Sequence, residues 1–256
     1  LTSIMIVVKL HLALASSLCA SSRHNLMPLE PACGFCRATG KPFGYVPRML
    51  TRWLALGTKV WRSNFNALHR PYKLTYAVTT RCNSRCRHCL SWQQKPANEL
   101  SLDEIARFAE KNPHWSWIDL TGGEPTLRSD FVDVVRVFLR SNPGLIFVHF
   151  PTNGLQTERI LDICNRLQTL AIPRLVVTVS IDGPPAVHDQ IRGVEGGFDK
   201  AVETLARIRK INGISAHAGM TLCNENLGEI DNTIRELRNR IPTFTPRHLH
   251  VNIPHS

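Results

Sequence analysis

From residue 72 onward the chain switches repeatedly between two hydrophobic periods, and this limits its fold more than any other feature. Leu74, Tyr76 and Val78 alternate with their neighbours, the period of a strand. Ser101 and Glu104 then form a capping-box pattern, and Leu102, Ile105, Ala106 and Ala109 share one helical face. Trp117–Leu120 reads as a second strand. Phe131, Val134, Val135 and Phe138 fall at helical spacing, and Leu145–Phe150 is a third strand. Ile160, Ile163, Cys164 and Leu167 make the next helical face, followed by a strand over Leu175–Ile181. A helix over Phe198–Ile211, a strand over Ile214–Leu222, a helix through Ile230, Ile234 and Leu237, and a strand over His248–Ile253 complete the series. Six strands and five helices in strict alternation predict an α/β fold. Its sheet would be parallel with helices outside, either a barrel or a doubly wound sheet.

The polar clusters fall at the strand ends. Cys82–Cys89 follows the first strand and Thr121-Gly122-Gly123-Glu124-Pro125 the second. Thr152-Asn153-Gly154 follows the third, Ser180-Ile181-Asp182-Gly183 closes the fourth, and Cys223-Asn224 follows the fifth. Asp119 is the exception, since it lies within a strand. In parallel α/β folds the carboxyl ends of the strands build the active site, so all five clusters are expected on one face.

Cys82-Asn-Ser-Arg-Cys86-Arg-His-Cys89 is the strongest of these signals. Thiolates at this density are ligands for iron–sulfur clusters or zinc rather than a disulfide framework. A ferredoxin-type cluster takes four cysteines. The three here would leave one iron open to a reactant, while Arg81, Arg85 and Arg87 would offset negative charge. The alternative is a zinc site with His88 as fourth ligand, in a structural or nucleic-acid-binding module.

The remaining residues each have a plainer reading. Gly122-Gly123 is also a strand-to-helix turn and Asp182-Gly183 a loop turn. Arg192 is also a solvated charge, and Asn224 a local turn or cap residue. Cys164 fits a helix core, and Cys223 either faces the site or fills space. Cys33-Gly-Phe-Cys36 is a second C-x-x-C, and half a zinc ribbon, a redox pair and a chance spacing all fit it.

The charge is uneven. Residues 1–73 hold ten Lys/Arg and one acid, Glu30, whereas residues 74–256 hold twenty-one Lys/Arg against nineteen Asp/Glu. The basic excess therefore belongs to an N-terminal extension, residues 1–70, preceding a core at 71–256. Such an extension can touch nucleic acid or an anionic membrane, or simply be solvated, and the last is the reading taken here. Ile4–Leu18 is too short to span a bilayer, and residues 1–20 read as an upstream leader. Met49–Leu68 is an amphipathic stretch expected to pack on its own domain. The chain begins at Leu1 and stops at the sixth strand, so a longer protein is expected on both sides, with Val251 and Ile253 poorly covered.

The set of motifs resembles the radical S-adenosylmethionine (SAM) superfamily. C-x-x-x-C-x-x-C follows the first strand and Gly-Gly-Glu-Pro the second. The later Ser-Ile-Asp-Gly-Pro-Pro-Ala-Val-His-Asp-Gln-Ile-Arg-Gly segment is similar to the SPASM-type branch of peptide maturases and cofactor-biosynthesis enzymes. The resemblance covers residues 70–256 and implies a partial (β/α)6 barrel. It implies Cys82, Cys86 and Cys89 as ligands of a [4Fe–4S] cluster whose open iron binds SAM. It places His88 near the adenine and Gly122, Gly123, Glu124 and Pro125 around the SAM amino group. Ser180, Asp182, Arg192 and Asn224 match polar positions toward the ribose and carboxylate. It further implies an external one-electron donor (a flavodoxin or ferredoxin), a peptide or small-molecule substrate, and a reducing, cytoplasmic setting.

Overall fold

The computed structural model describes residues 45–94 and 99–253, with side chains from residue 50. The expected leader and the Cys33–Cys36 pair lie outside the described residues. Six strands form one sheet: β1 (Lys73–Thr79), β2 (Trp117–Gly122), β3 (Phe147–Thr152), β4 (Arg174–Ser180), β5 (Ile214–Thr221) and β6 (Leu249–Asn252). Every pairing is parallel, and the spatial order is the chain order, β1 to β6. A doubly wound sheet reverses its order at a switch point. This sheet never reverses, so it is the partial (β/α)6 barrel.

The helices are α1 (Tyr45–Ser63), α2 (Leu102–Lys111), α3 (Phe131–Ser141), α4 (Thr157–Gln168), α5 (Pro185–Arg192), α6 (Gly197–Ile208) and α7 (Ile230–Arg240). Local signals set several boundaries. Ser101 caps α2 through its side chain while Glu104 reaches back to the Ser101 amide. On α3, Phe131, Val134, Val135 and Phe138 are all buried, as the 3.6-residue period requires.

One helix departs from the expected alternation. α5 stands between β4 and α6, where the sequence reading had only loop. Pro185 at its first position and left-handed Gly193 just past its end are start and stop signals. Its brevity hid it, because eight residues barely complete two hydrophobic periods.

The period of two divides each strand between two faces. Outward residues Ile118, Leu120, Val148, Phe150, Leu175, Val177, Val179, Ala216 and Ala218 join the helix-facing core. Inward residues such as Asp119, His149 and His217 do not. Val251 on β6 is 41% exposed and Ile253, just past it, 72%. α1 buries Leu56 and donates from Lys59 Nζ to Ser116 Oγ at 2.9 Å, just before β2. It therefore lies toward the amino ends of the strands, away from the clusters at their carboxyl ends. No helix among the described residues is long and apolar enough to cross a membrane.

Candidate active site

The loop after β1 carries the three cysteines, and its neighbours hold it by backbone contacts. At the end of β2 the Gly123 amide donates to Thr79 O at 2.8 Å and the Glu124 amide to Arg81 O at 2.7 Å. A Cβ on Gly122 would sit 2.2 Å from Thr79 O, and one on Gly123 would sit 2.2 Å from Arg81 O. Gly122 also has φ +136°, so only glycine lets the two strand-end loops lie this close.

α5 grips the loop from the other side. Arg85 N donates to Arg192 O at 3.0 Å and Arg87 N to Ile191 O at 2.9 Å. The last carbonyls of a helix lack intrahelical partners, and here the cysteine loop supplies them. Gly193, at φ +64°, passes so close that a Cβ would lie 2.8 Å from Arg85 O. The Arg192 side chain adds a third contact, donating from Nη1 to Cys86 Sγ at 3.7 Å.

Arg192 is itself fixed. Its Nε lies 2.6 Å from Asp182 Oδ2, a close ion pair rather than an aligned hydrogen bond. Asp182 is fully buried, and its Oδ1 accepts from Thr221 N at 2.8 Å. Buried charges persist only when paired in this way. His188 on α5 accepts from Asp182 N at 3.1 Å, and burial lowers its pKa to about 4, so it is neutral.

Glu124 is also buried. Its carboxylate accepts from Thr126 Oγ1 at 2.6 Å, Thr152 Oγ1 at 2.8 Å, Asn153 N at 2.7 Å and Thr126 N at 3.3 Å. Burial pushes its pKa up, opposed by these donors. Asn153 extends the network to the cysteine loop through Asn83 Oδ1 at 2.6 Å and Ser84 Oγ at 3.0 Å.

Together these elements bound a cleft of about 340 Å3. Cys82, Cys86, Cys89, His88, Gly122, Gly123, Glu124, Ser180 and Arg192 all line it. Pro125, Asp182 and Asn224 do not. Pro125 begins a buried 3-10 turn under Glu124, Asp182 stands behind Arg192, and Asn224 is exposed. The buried role falls to Asn226, whose amide donates to Asp182 O and Thr221 O, both at 2.9 Å. The cleft also takes Ser84, Ser91, Trp92, Pro151 and Thr221, which the sequence reading did not single out, and Thr152 and Asn153 of the third strand-end cluster, which it expected on this face. Thr152 and Asn153 were legible from their place at the end of β3, whereas Trp92 carries no such signal.

Burial raises the thiol pKa of Cys82 and of Cys86. Among the described residues, no three His, Cys, Asp or Glu side chains converge closely enough to hold one metal ion. The three cysteines all border the cleft. Cys164 is buried in α4 with its pKa pushed up to about 12, an inert core thiol.

Residues 76–237 match the sequence model of the Radical SAM superfamily. Mycofactocin maturase MftC of Mycolicibacterium smegmatis is 31% identical over 168 residues, 64% of this chain and 41% of that one. GTP 3',8-cyclase of Cronobacter sakazakii is 36% identical over 155 residues, 55% of this chain and 45% of that one. The chain thus spans less than half the length of these curated relatives. Streptococcus suis SuiB bound to precursor peptide SuiA has the same fold, with TM-score 0.52 and 14% identity over 87% of this chain and 46% of that one. Members of the family use SAM and an iron–sulfur cluster. The match covers more than half of the chain, and the cysteine loop, the Gly-Gly-Glu turn and the sequential parallel sheet agree with it: this protein is a radical SAM superfamily enzyme.

Proposed function

We propose that Cys82, Cys86 and Cys89 hold a [4Fe–4S] cluster and that the chain cleaves SAM reductively beside it. When bound, the cluster supplies the electron for this cleavage, and the resulting 5′-deoxyadenosyl radical abstracts hydrogen from a peptide or cofactor-precursor substrate. The observation that carries the reading is the convergence of three thiols, the Gly-Gly-Glu turn and Arg192 on one cleft. The donor set fits: three cysteines line one wall, no fourth among the described residues joins them there, and Arg192 brings a compensating charge to Cys86.

The protein's own residues have distinct tasks in this reading. Gly122 and Gly123 bring backbone to the cleft wall, where a SAM ammonium group needs acceptors. Glu124 adds negative potential, but its oxygens already serve Thr126, Thr152 and Asn153, so its main task is to hold that wall. Arg192 offers its guanidinium to a carboxylate, and Ser180 offers a hydroxyl to the ribose. His88, exposed at the rim, flanks the adenine. Pro125, Asp182 and Asn224 act through the segments that carry these groups. An external flavodoxin or ferredoxin supplies electrons, residues 1–70 stand as an extension to the 71–256 core, and a reducing cytoplasm preserves the cluster. MftC and SkfB are maturation proteins by name, and the SuiB structure holds a precursor peptide, which favours a peptide substrate. The GTP cyclases among the relatives keep a cofactor precursor as the second reading.

Anaerobic reconstitution tests the reading. Iron and sulfide should bind, and dithionite with SAM should yield 5′-deoxyadenosine. A colourless protein that binds only zinc and leaves SAM intact would overturn it.

A further inference from the structure

The concave face of the sheet remains unexplained by the cleft. In a closed eight-stranded barrel this face is packed with branched aliphatic side chains. Here its inward positions include Lys73, Asp119, His149, Thr178, His217 and His250. These residues are absent from the apolar core, and all but Thr178 are partly open. The face continues into the cleft, because His250 pairs in register with Gly219, which pairs with Ser180 of the cleft wall.

The charges on this face do not balance. Among the described residues Asp119 is the only acid at an inward strand position. It is already committed to Lys73 Nζ at 2.6 Å, Trp117 Nε1 at 2.6 Å and His149 Nδ1 at 3.2 Å. His149 Nε2 in turn meets Thr178 Oγ1 at 2.9 Å. That leaves Arg174 at the foot of β4 and the ring pair His217–His250, stacked with centroids 4.3 Å apart. Stacked imidazoles repel when protonated. Burial, His250, His248, Arg174 and Arg209 hold the His217 pKa down to about 4. His217 Nδ1 is buried with no hydrogen-bond partner. A buried orphan nitrogen among cationic neighbours is what an anionic acceptor would complete.

We propose that this concave face seats an anionic group of the substrate, a carboxylate or a phosphate, against His217 and His250, with Arg174 adding to the attraction. The proposal deepens the reading of the cleft by naming the charge class of its substrate. An anion there gives the His217 Nδ1 position an acceptor, gains the attraction of Arg174, and meets no competing carboxylate except Asp119, which is already paired with Lys73.

The test uses the full chain without iron or SAM, labelled with 15N-histidine. Glutarate, inorganic phosphate and the uncharged glutaramide are titrated in turn. One of the anions should move the His217 and His250 ring nitrogens, and glutaramide should not. A glutarate response points to an acidic peptide, and a phosphate response to a nucleotide-like substrate. His217→Gln should weaken the responding anion about tenfold, and the exposed Arg174→Gln, which spares the stacked pair, about threefold. Ring signals unmoved by both anions, or moved equally by glutaramide, would overturn the proposal. The titration needs no cluster, so its failure leaves the cysteine assignment standing, and a failed reconstitution leaves this result standing.

Discussion

On β3, Phe150 and His149 are neighbours in the chain and opposites in the fold. Phe150 is fully buried against Phe131 on the helix side, with ring centroids 5.1 Å apart. His149 faces the concave side, where Asp119 and Thr178 hold its ring and a quarter of its side chain stays exposed. The same contrast runs across the sheet. The convex face is apolar and dry, whereas the concave face mixes the polar groups with Trp117, Phe147 and Val176 and is more open. One backbone therefore carries stability on one side and chemistry on the other, and a shift of one residue in register would exchange them.

The sharpest way to break this comparison lies at the cleft. Cys86→Ala should lower reconstituted iron to near background and abolish 5′-deoxyadenosine formation. Full iron retention would mean the loop is not the cluster site. Asp182→Ala comes next, because it leaves Arg192 buried without its partner. The cost should be about 3–5 kcal/mol by urea denaturation. A loss below about 1 kcal/mol would show that the pair is not structural.

The adjacent residues of β3 supply the direct comparison. Phe150→Ala should cost about 3–5 kcal/mol through the lost contacts and the cavity left behind. His149→Gln should cost about 1 kcal/mol, because the glutamine amide keeps part of the hydrogen bonding. Equal losses would erase the distinction between the faces.

Acid should act through His188. Its folded pKa, about 4, is below its ordinary 6.5, so the unfolded chain binds the extra proton between those values. Stability from this group is complete above pH 6.5 and is lost as pH falls toward 4. From pH 7 to pH 5 it should fall by about 2 kcal/mol. His188→Gln should flatten that part of the profile, and an unchanged slope would remove His188 as its source. The smallest effect belongs to α1, where Leu54 is 61% exposed. Leu54→Ala should stay within about 0.5 kcal/mol of the parent.

The cysteine loop and the Gly-Gly-Glu turn were legible because their spacing is local and their places at strand ends follow from the alternation. Asp182 was expected toward the ribose and carboxylate, and its place behind Arg192 was not legible because nothing local reveals its contacts. Its partners, Arg192, Thr221 and Asn226, lie ten to forty-four residues away. Asn226 carried no site signal in the sequence, yet its amide joins the ends of β4 and β5. Glu124 carried the right charge for an ammonium, but Thr152 and Asn153 of the next strand claim its oxygens.

The sequence by itself determined the order and kind of the main elements and the meeting of three thiols at one edge of a parallel sheet. Hydrophobic period and motif spacing are properties of short stretches, so they survive without knowledge of the whole. Only the tertiary structure decided that the sheet is sequential and that α5 clamps the cysteine loop. It also decided that Arg192 reaches the cleft while Asp182 stands behind it. Those outcomes depend on which distant groups reach the same place, and on the cost of leaving any buried charge or polar atom there without a partner.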